Sequence, residues 1–255
     1  MTVVEWAARH DRPLVGAGLL IVVALCWAWI VPMARDMYGP MTGPSAWMMA
    51  ATWDARYILL LWAMWSVMMA GMMLPSAAPM LLLYATAVRR SPDGAPAVAR
   101  VYAMAAGYLL VWILFSLGAT ALQAALNALL ILTPMMQTAS PRAASAFLVA
   151  AGLYQLTPFK TTCLDACRSP LAFIAQHWRA GAGGALRMGV AHGLYCLGCC
   201  WALMLLLFVG GVMNLFVIVA LTIAVLVEKV APFGAHATRL SGFALIAFGV
   251  WTWAG

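Results

Sequence analysis

The sequence predicts an all-α, polytopic membrane protein of about seven transmembrane helices, and three observations carry that expectation. Of 255 residues, 66% are hydrophobic and only 8% charged, with a mean hydropathy of +0.97. Soluble domains average roughly half apolar and a quarter charged. The apolar residues are gathered into long runs with short polar loops between them, which leaves no stretch for a separate soluble domain. The runs are far too long for barrel strands, and backbone in lipid must satisfy its own hydrogen bonds, so helices are expected. The whole chain, 1–255, is therefore read as a single transmembrane domain.

The first run, 14–33, is longer than a signal-peptide core and no small-residue cleavage site follows it, so it reads as a retained span. The others fall at 57–87, 101–132, 143–159, 186–209, 212–229 and 239–254. Each approaches the length needed to cross a ~30 Å core, although the fourth and sixth are short and the third is long. Alternate loops differ sharply in charge. One set holds Arg9, Arg12, Arg89, Arg90, Arg100, Lys160, Arg168, Arg179, Arg187, Lys229 and Arg239, and the other only Arg35, Arg56 and Arg142. The positive-inside rule then places the N-terminus in the cytoplasm and the C-terminus outside, in what reads as a bacterial inner membrane. The net charge of +7 is spread over these anchors, with no basic block that would suggest nucleic acid. Trp47, Trp53, Tyr57, Trp62, Trp251 and Trp253 fit interfacial belts.

The chemistry concentrates in the fifth span, MGVAHGLYCLGCCWALMLLLF. His192, Cys196, Cys199 and Cys200 stand at i, i+4, i+7 and i+8, one face of a helix. From Arg187, His192 lies about 8 Å into the membrane and Cys199 and Cys200 about 18–20 Å in, near the midplane. Thiolate and imidazole together suit Cu(I), zinc or iron–sulfur. A single Cys in a span is usually a small buried hydrophobe. Polar or metal-binding clusters at membrane depth are costly to place, so the grouped set reads as a functional site.

A second pair, Cys163 and Cys167, closes the fourth span in YQLTPFKTTCLDACRSP, with Lys160 and Arg168 beside it. Pro158 and Pro170 should end or kink helices there. Both thiols face one way on a helical turn, and cytosolic thiols stay reduced, which favours a ligand or thiol-relay role over a standing disulfide. The second span adds Met64, Met68 and Met72 on one stripe and Met69, Met73, Ser76 and Met80 on another. Further methionines (Met33, Met37, Met41, Met48, Met49, Met135, Met136 and Met213) fall in or near the outward loops. Thioether is a soft, non-titrating ligand that survives where thiols are oxidised. Met69, Met72 and Met73, beside Pro75, are the methionines expected as ligands. Glu228 should sit near His192 in depth and could orient its imidazole, with Lys160 as a further supporting residue. His10, His177 and His236 read as surface histidines.

Four segments, MMLPS (72–76), YQLTPFKTTCLDACRSP (154–170), HGLYCLGCCWALM (192–204) and VEKVAPFG (227–234), together resemble the predicted metal-binding integral membrane proteins. This bacterial family was formerly a domain of unknown function, and one relative is a membrane copper chaperone of a polyphenol oxidase (tyrosinase). The resemblance runs from Leu59 onward and implies membrane metal handling, with copper foremost, while the residue chemistry leaves zinc or haem as alternatives. It implies ligands among Met72, Met73, Cys163, Cys167, His192, Cys196, Cys199, Cys200 and Glu228. The partners it implies are the lipid bilayer and a periplasmic cuproenzyme or copper-carrier client.

Absent motifs exclude alternatives. There is no Walker A sequence, no DKTGT-type phosphorylation segment, no G-x-S-x-G elbow and no HExxH. No catalytic residue is expected. The competing readings are a membrane thiol oxidoreductase built on the Cys pairs, and a haem protein using His192. Adjacent Cys199 and Cys200, whose side chains point about 100° apart on a helix, argue against the first.

Overall fold

The computed structural model describes residues 3–39, 42–43, 45–49, 53–89 and 97–254. Among these the only extended pairing is an isolated bridge between Leu132 and Thr138, and everything else regular is helical. The helices are α1 (Val3–Met37), α2 (Ala55–Arg89), α3 (Ala97–Ala128), α4 (Pro141–Gln155), α5 (Pro158–Arg168), α6 (Pro170–His177), α7 (Gly181–Leu205), α8 (Leu207–Gly210), α9 (Leu215–Val230) and α10 (Gly234–Ala254). A 3₁₀ turn at Ala46–Met49 precedes α2.

Local chemistry sets the boundaries. Ser140 and Thr157 cap α4 and α5, each followed by proline at the first helical position, where a missing N–H costs nothing. Asn214 caps α9 by accepting from the amides of Phe216 and Val217. Pro158 and Pro170 open helices, so the polar segment between α4 and α7 becomes two short helices. The fourth expected span, 143–159, is corrected on this point: it breaks at Leu156 and Thr157 because Thr157 caps α5. Pro75 sits inside α2 and withholds the amide that would have bonded to the Gly71 carbonyl. Trp27 of α1 donates its indole N–H to that carbonyl at 3.2 Å, so the proline is tolerated without an orphaned acceptor.

Four helical stretches among the described residues are long and apolar enough to cross a membrane: Pro13–Met37, Ala55–Arg89, Ala97–Ala128 and Gly181–Gly210. These fit a membrane protein. α4 and α9, with 15 and 16 residues, rise only about 22–24 Å and fall short of a ~30 Å core.

Helix seams use small residues for close approach, as lipid-embedded bundles do. α7 packs on α3, where a Cβ at Gly189 would run into the Met104 carbonyl and one at Gly107 into that of Leu186. α4 packs on α10 through Gly152, where a Cβ would lie 2.7 Å from the Gly242 carbonyl. α5 lies across α7 at Gly198. The interior of α2 is lined by Met64, Trp65, Met68, Met69, Met72 and Met73, all fully buried.

Candidate metal centre

α7 presents His192, Cys196, Cys199 and Cys200 to the bundle interior, and all four are buried. Cys199 Sγ lies 3.1 Å from Cys200 Sγ, and the Cys199 thiol donates to the Cys196 carbonyl at 3.2 Å. Cys200 also interacts with Cys196. The expected 100° divergence of adjacent side chains does not keep Cys199 and Cys200 apart, since their sulfurs lie within 3.1 Å.

α5 adds to the same cluster. Cys163 Sγ rests against Gly198, where a Cβ would come within 2.7 Å of it. One turn on, the Cys167 thiol interacts with that of Cys199. Gly198 is therefore the notch that admits α5, and the Tyr154 hydroxyl bonds to the Gly198 carbonyl beside it. Burial pushes the Cys163 thiol above its ordinary value, so it keeps its proton at neutral pH unless a metal displaces it. The two cysteine groups, on separate motifs in sequence, meet along one seam. All six cysteines are free.

Cys196 has the most polar surroundings. Lys229 of α9 donates to its sulfur at 2.8 Å and to Ser76 Oγ at 3.1 Å. The Tyr108 hydroxyl of α3 lies 3.0 Å from the same sulfur and donates to the Met73 carbonyl at 3.1 Å. Lysine beside a buried thiol offsets the charge of a thiolate or of an anionic metal–thiolate group. Tyr108 and Lys229 thus tie the Met72–Ser76 segment of α2 to the thiols of α7. The principal neighbours of α2 are α3, α1 and α9, and Tyr108 and Lys229 on two of them link it to Cys196.

His192 stacks on Tyr108, with ring centroids 5.6 Å apart, and meets the edge of Phe173 at 5.3 Å. Its Nδ1 is buried without a hydrogen-bond partner. The expected carboxylate partner is engaged elsewhere, and no hydrogen bond joins Glu228 to His192. Glu228 forms an ion pair with Lys160 at 2.7 Å and accepts from Gln155 at 2.7 Å and Ser241 at 3.3 Å. Lys160 also bonds to Gln155 Oε1, and Arg168 donates to the Glu228 carbonyl at 3.0 Å. Glu228 and Lys160 therefore clamp α4, α5, α9 and α10 together. Among the described residues, no three His, Cys, Asp or Glu side chains stand in metal-holding geometry, so the thiols form a chain of pairwise contacts.

The sequence matches the family model described as a copper chaperone, PpoB2, over residues 62–252. The chain belongs to the PpoB2 copper chaperone family. The PpoB2 match runs from α2 into α10 and so takes in every thiol of the seam. No curated protein and no solved structure gives a match.

Sequence reasoning did not place Tyr108 beside the thiols, and it read Lys229 with Glu228 at the membrane boundary rather than on Cys196. Signals for both were present. Tyr108 lies far from either end of its span, where the interfacial preference of tyrosine would not put it. Lys229 abuts a long apolar run, and a cation beside such a run calls for a partner. His177 stacks on Phe173, 4.4 Å between centroids, near Tyr195. Met41 lies outside the described residues.

Proposed function

We propose that this copper chaperone family member carries Cu(I) on the thiols of Cys196, Cys199, Cys200, Cys163 and Cys167, with His192 as an additional donor, and hands it to a cuproenzyme client. The observation that supports this reading most is the continuous seam from Cys167 through Cys199 and Cys200 to Cys196. Thiolates are the soft donors that Cu(I) prefers, and the unpartnered Nδ1 of buried His192 supplies a ready neutral donor. A chain of paired sulfurs lets a soft ion exchange one ligand at a time. That is the behaviour a carrier needs, whereas a closed shell suits a permanent structural site. Lys229 offsets the negative charge of a copper–thiolate group at Cys196.

In this reading α1, α2, α3, α4, α7, α9 and α10 are the seven crossings, with the N-terminus in the cytoplasm of a bacterial inner membrane. α4 and α9 meet the headgroup region through the polar clamp of Gln155, Lys160 and Glu228. Met69, Met72 and Met73 continue the donor path along α2 from the Tyr108–Lys229 bridge. Chaperoning needs no catalytic residue, and none is assigned.

The test is metal analysis of purified, reduced protein, with X-ray absorption and a visible spectrum. Bound copper with sulfur scattering, lost when Cys196, Cys199 and Cys200 become Ser, is the expected outcome. Copper content unchanged by those substitutions would reject the site. A Soret band would favour haem ligation by His192, and quinone reduction without metal would favour thiol redox chemistry.

A further inference from the structure

A second group of soft donors lines a pocket that contains none of the cysteines. α2 begins, and α3 ends, around a pocket of about 330 Å³ walled by Met48, Met136, Trp53, Tyr57, Gln123 and Thr133. The rise along α3 from Tyr108 at the thiol seam to Gln123 at this pocket is roughly 22 Å. The pocket therefore sits at the end of the bundle where α2 begins and α3 ends, apart from the thiol seam.

The pocket is built. Met136 and Leu130 both line it, and both adopt left-handed backbone with φ of 56°. They are the only residues other than glycine to do so among those described. Such backbone is unfavourable for side chains with a Cβ and persists where surroundings enforce it, often at functional sites. Here the loop is pinned: Thr133 donates to the Gln137 carbonyl at 2.8 Å, Met136 to that of Thr133 at 2.9 Å, and Thr138 to that of Phe208 at 2.8 Å. The result turns Met136 inward, to 5% exposure. Met48, in the same lining, is also buried, its carbonyl accepting from the Tyr57 hydroxyl at 3.3 Å. Thr133 Oγ1 is buried at the same pocket with no hydrogen-bond partner. The Gln123 carbonyl oxygen is already taken by the Trp65 indole at 2.7 Å.

Among the residues that line it, the pocket has no carboxylate, imidazole or thiol, and its soft donors are the two thioethers. Hard divalent cations need oxygen shells and charge, which this lining lacks. A soft monovalent cation suits thioethers, and the aromatic rings of Trp53 and Tyr57 add favourable surroundings for it. We infer that Met48 and Met136 form a second, thioether-only Cu(I) site at the end of the bundle where α2 begins and α3 ends. This inference rests on copper being the cargo. Thioethers release no proton on binding, so this site holds its ion at pH values where the thiol site loses it. The difference gives copper a terminal station from which a client can take it.

The experiment uses full-length protein labelled with [methyl-¹³C]methionine, titrated with Ag(I) as a redox-stable stand-in for Cu(I). The Met48 and Met136 methyl resonances, assigned with the single Met48→Leu and Met136→Leu variants, should shift together. The double variant should lose one equivalent of bound Ag(I), and Met135→Leu, beside the pocket but outside its wall, should lose none. The shifts should persist on acidification. Unmoved Met48 and Met136 resonances, or full stoichiometry in a folded double variant, would overturn the inference. Should the double variant not fold, the wild-type titration decides alone. Thiolate-to-Cu(I) ultraviolet absorption follows the cysteine site separately, so either reading can fail without the other.

Discussion

At the scale of single residues, two buried lysines have different work. Lys229 points its ammonium at Cys196, 2.8 Å away, on the thiol seam. Replacing it with Leu leaves Cys196 and Ser76 able to bond to neighbours but removes the countercharge and adds no donor atom. Lys229→Leu should weaken Cu(I) binding at least about tenfold, roughly 1.4 kcal/mol, in competition with a chromogenic Cu(I) chelator. Unchanged affinity would reduce Lys229 to packing. Lys160 instead faces Glu228 at 2.7 Å, and both side chains are almost wholly enclosed. Glu228→Gln leaves a buried cation without its anion, which costs about 3–5 kcal/mol. The thermal midpoint in detergent should fall, and adding Lys160→Met should restore part of it. A midpoint unmoved by Glu228→Gln would mean water reaches the pair.

At the scale of elements, the decisive seam is α5 on α7. Thr157 and Pro158 start α5, and Gly198 leaves the gap into which Cys163 fits. A leucine at 198 would occupy the space of the Cys163 sulfur, 2.7 Å from where its Cβ must lie. Gly198→Leu should lift α5 and separate Cys167 from Cys199. Mild oxidation followed by mass spectrometry should give a Cys167–Cys199 cross-link in the parent protein and little in the variant. An equal yield in both would place the two thiols together by some means other than this seam. The α3–α7 seam at Gly189 and Gly107 is a separate contact, so the bundle itself should survive the change.

For the whole molecule, two expectations follow from where charge and protons lie. Each thiolate recruited to copper gives up a proton, and burial holds the Cys163 thiol above its ordinary value. Cu(I) affinity should therefore rise with pH, by up to about tenfold per pH unit for each proton released, and fall on acidification. A flat profile for the cysteine site would show that its thiols are already ionised. Reporter fusions should place the loop carrying Cys163 in the cytoplasm and the segment carrying Met48 outside. The opposite result would reverse the proposed direction from thiol to thioether.

The amino-acid sequence alone determined the all-helical class and the long apolar runs that become α1, α2, α3 and α7, because apolar length is a local property. It also determined the shared face of His192, Cys196, Cys199 and Cys200, since helical periodicity is local too, and four motifs carried the family resemblance. Helix ends near Pro158 and Pro170 were legible for the same reason, although the cap by Thr157 shortened the fourth run. Only the tertiary structure decided which faces meet. It brought Cys167 to Cys199 through a glycine notch and gave Glu228 to Lys160 and Gln155, leaving His192 without it. It also set Tyr108 and Lys229 on Cys196, and placed Met136, through a left-handed backbone, in the pocket that Met48 lines. These pairings depend on packing between segments dozens of residues apart, and side-chain spacing within one segment carries no record of them.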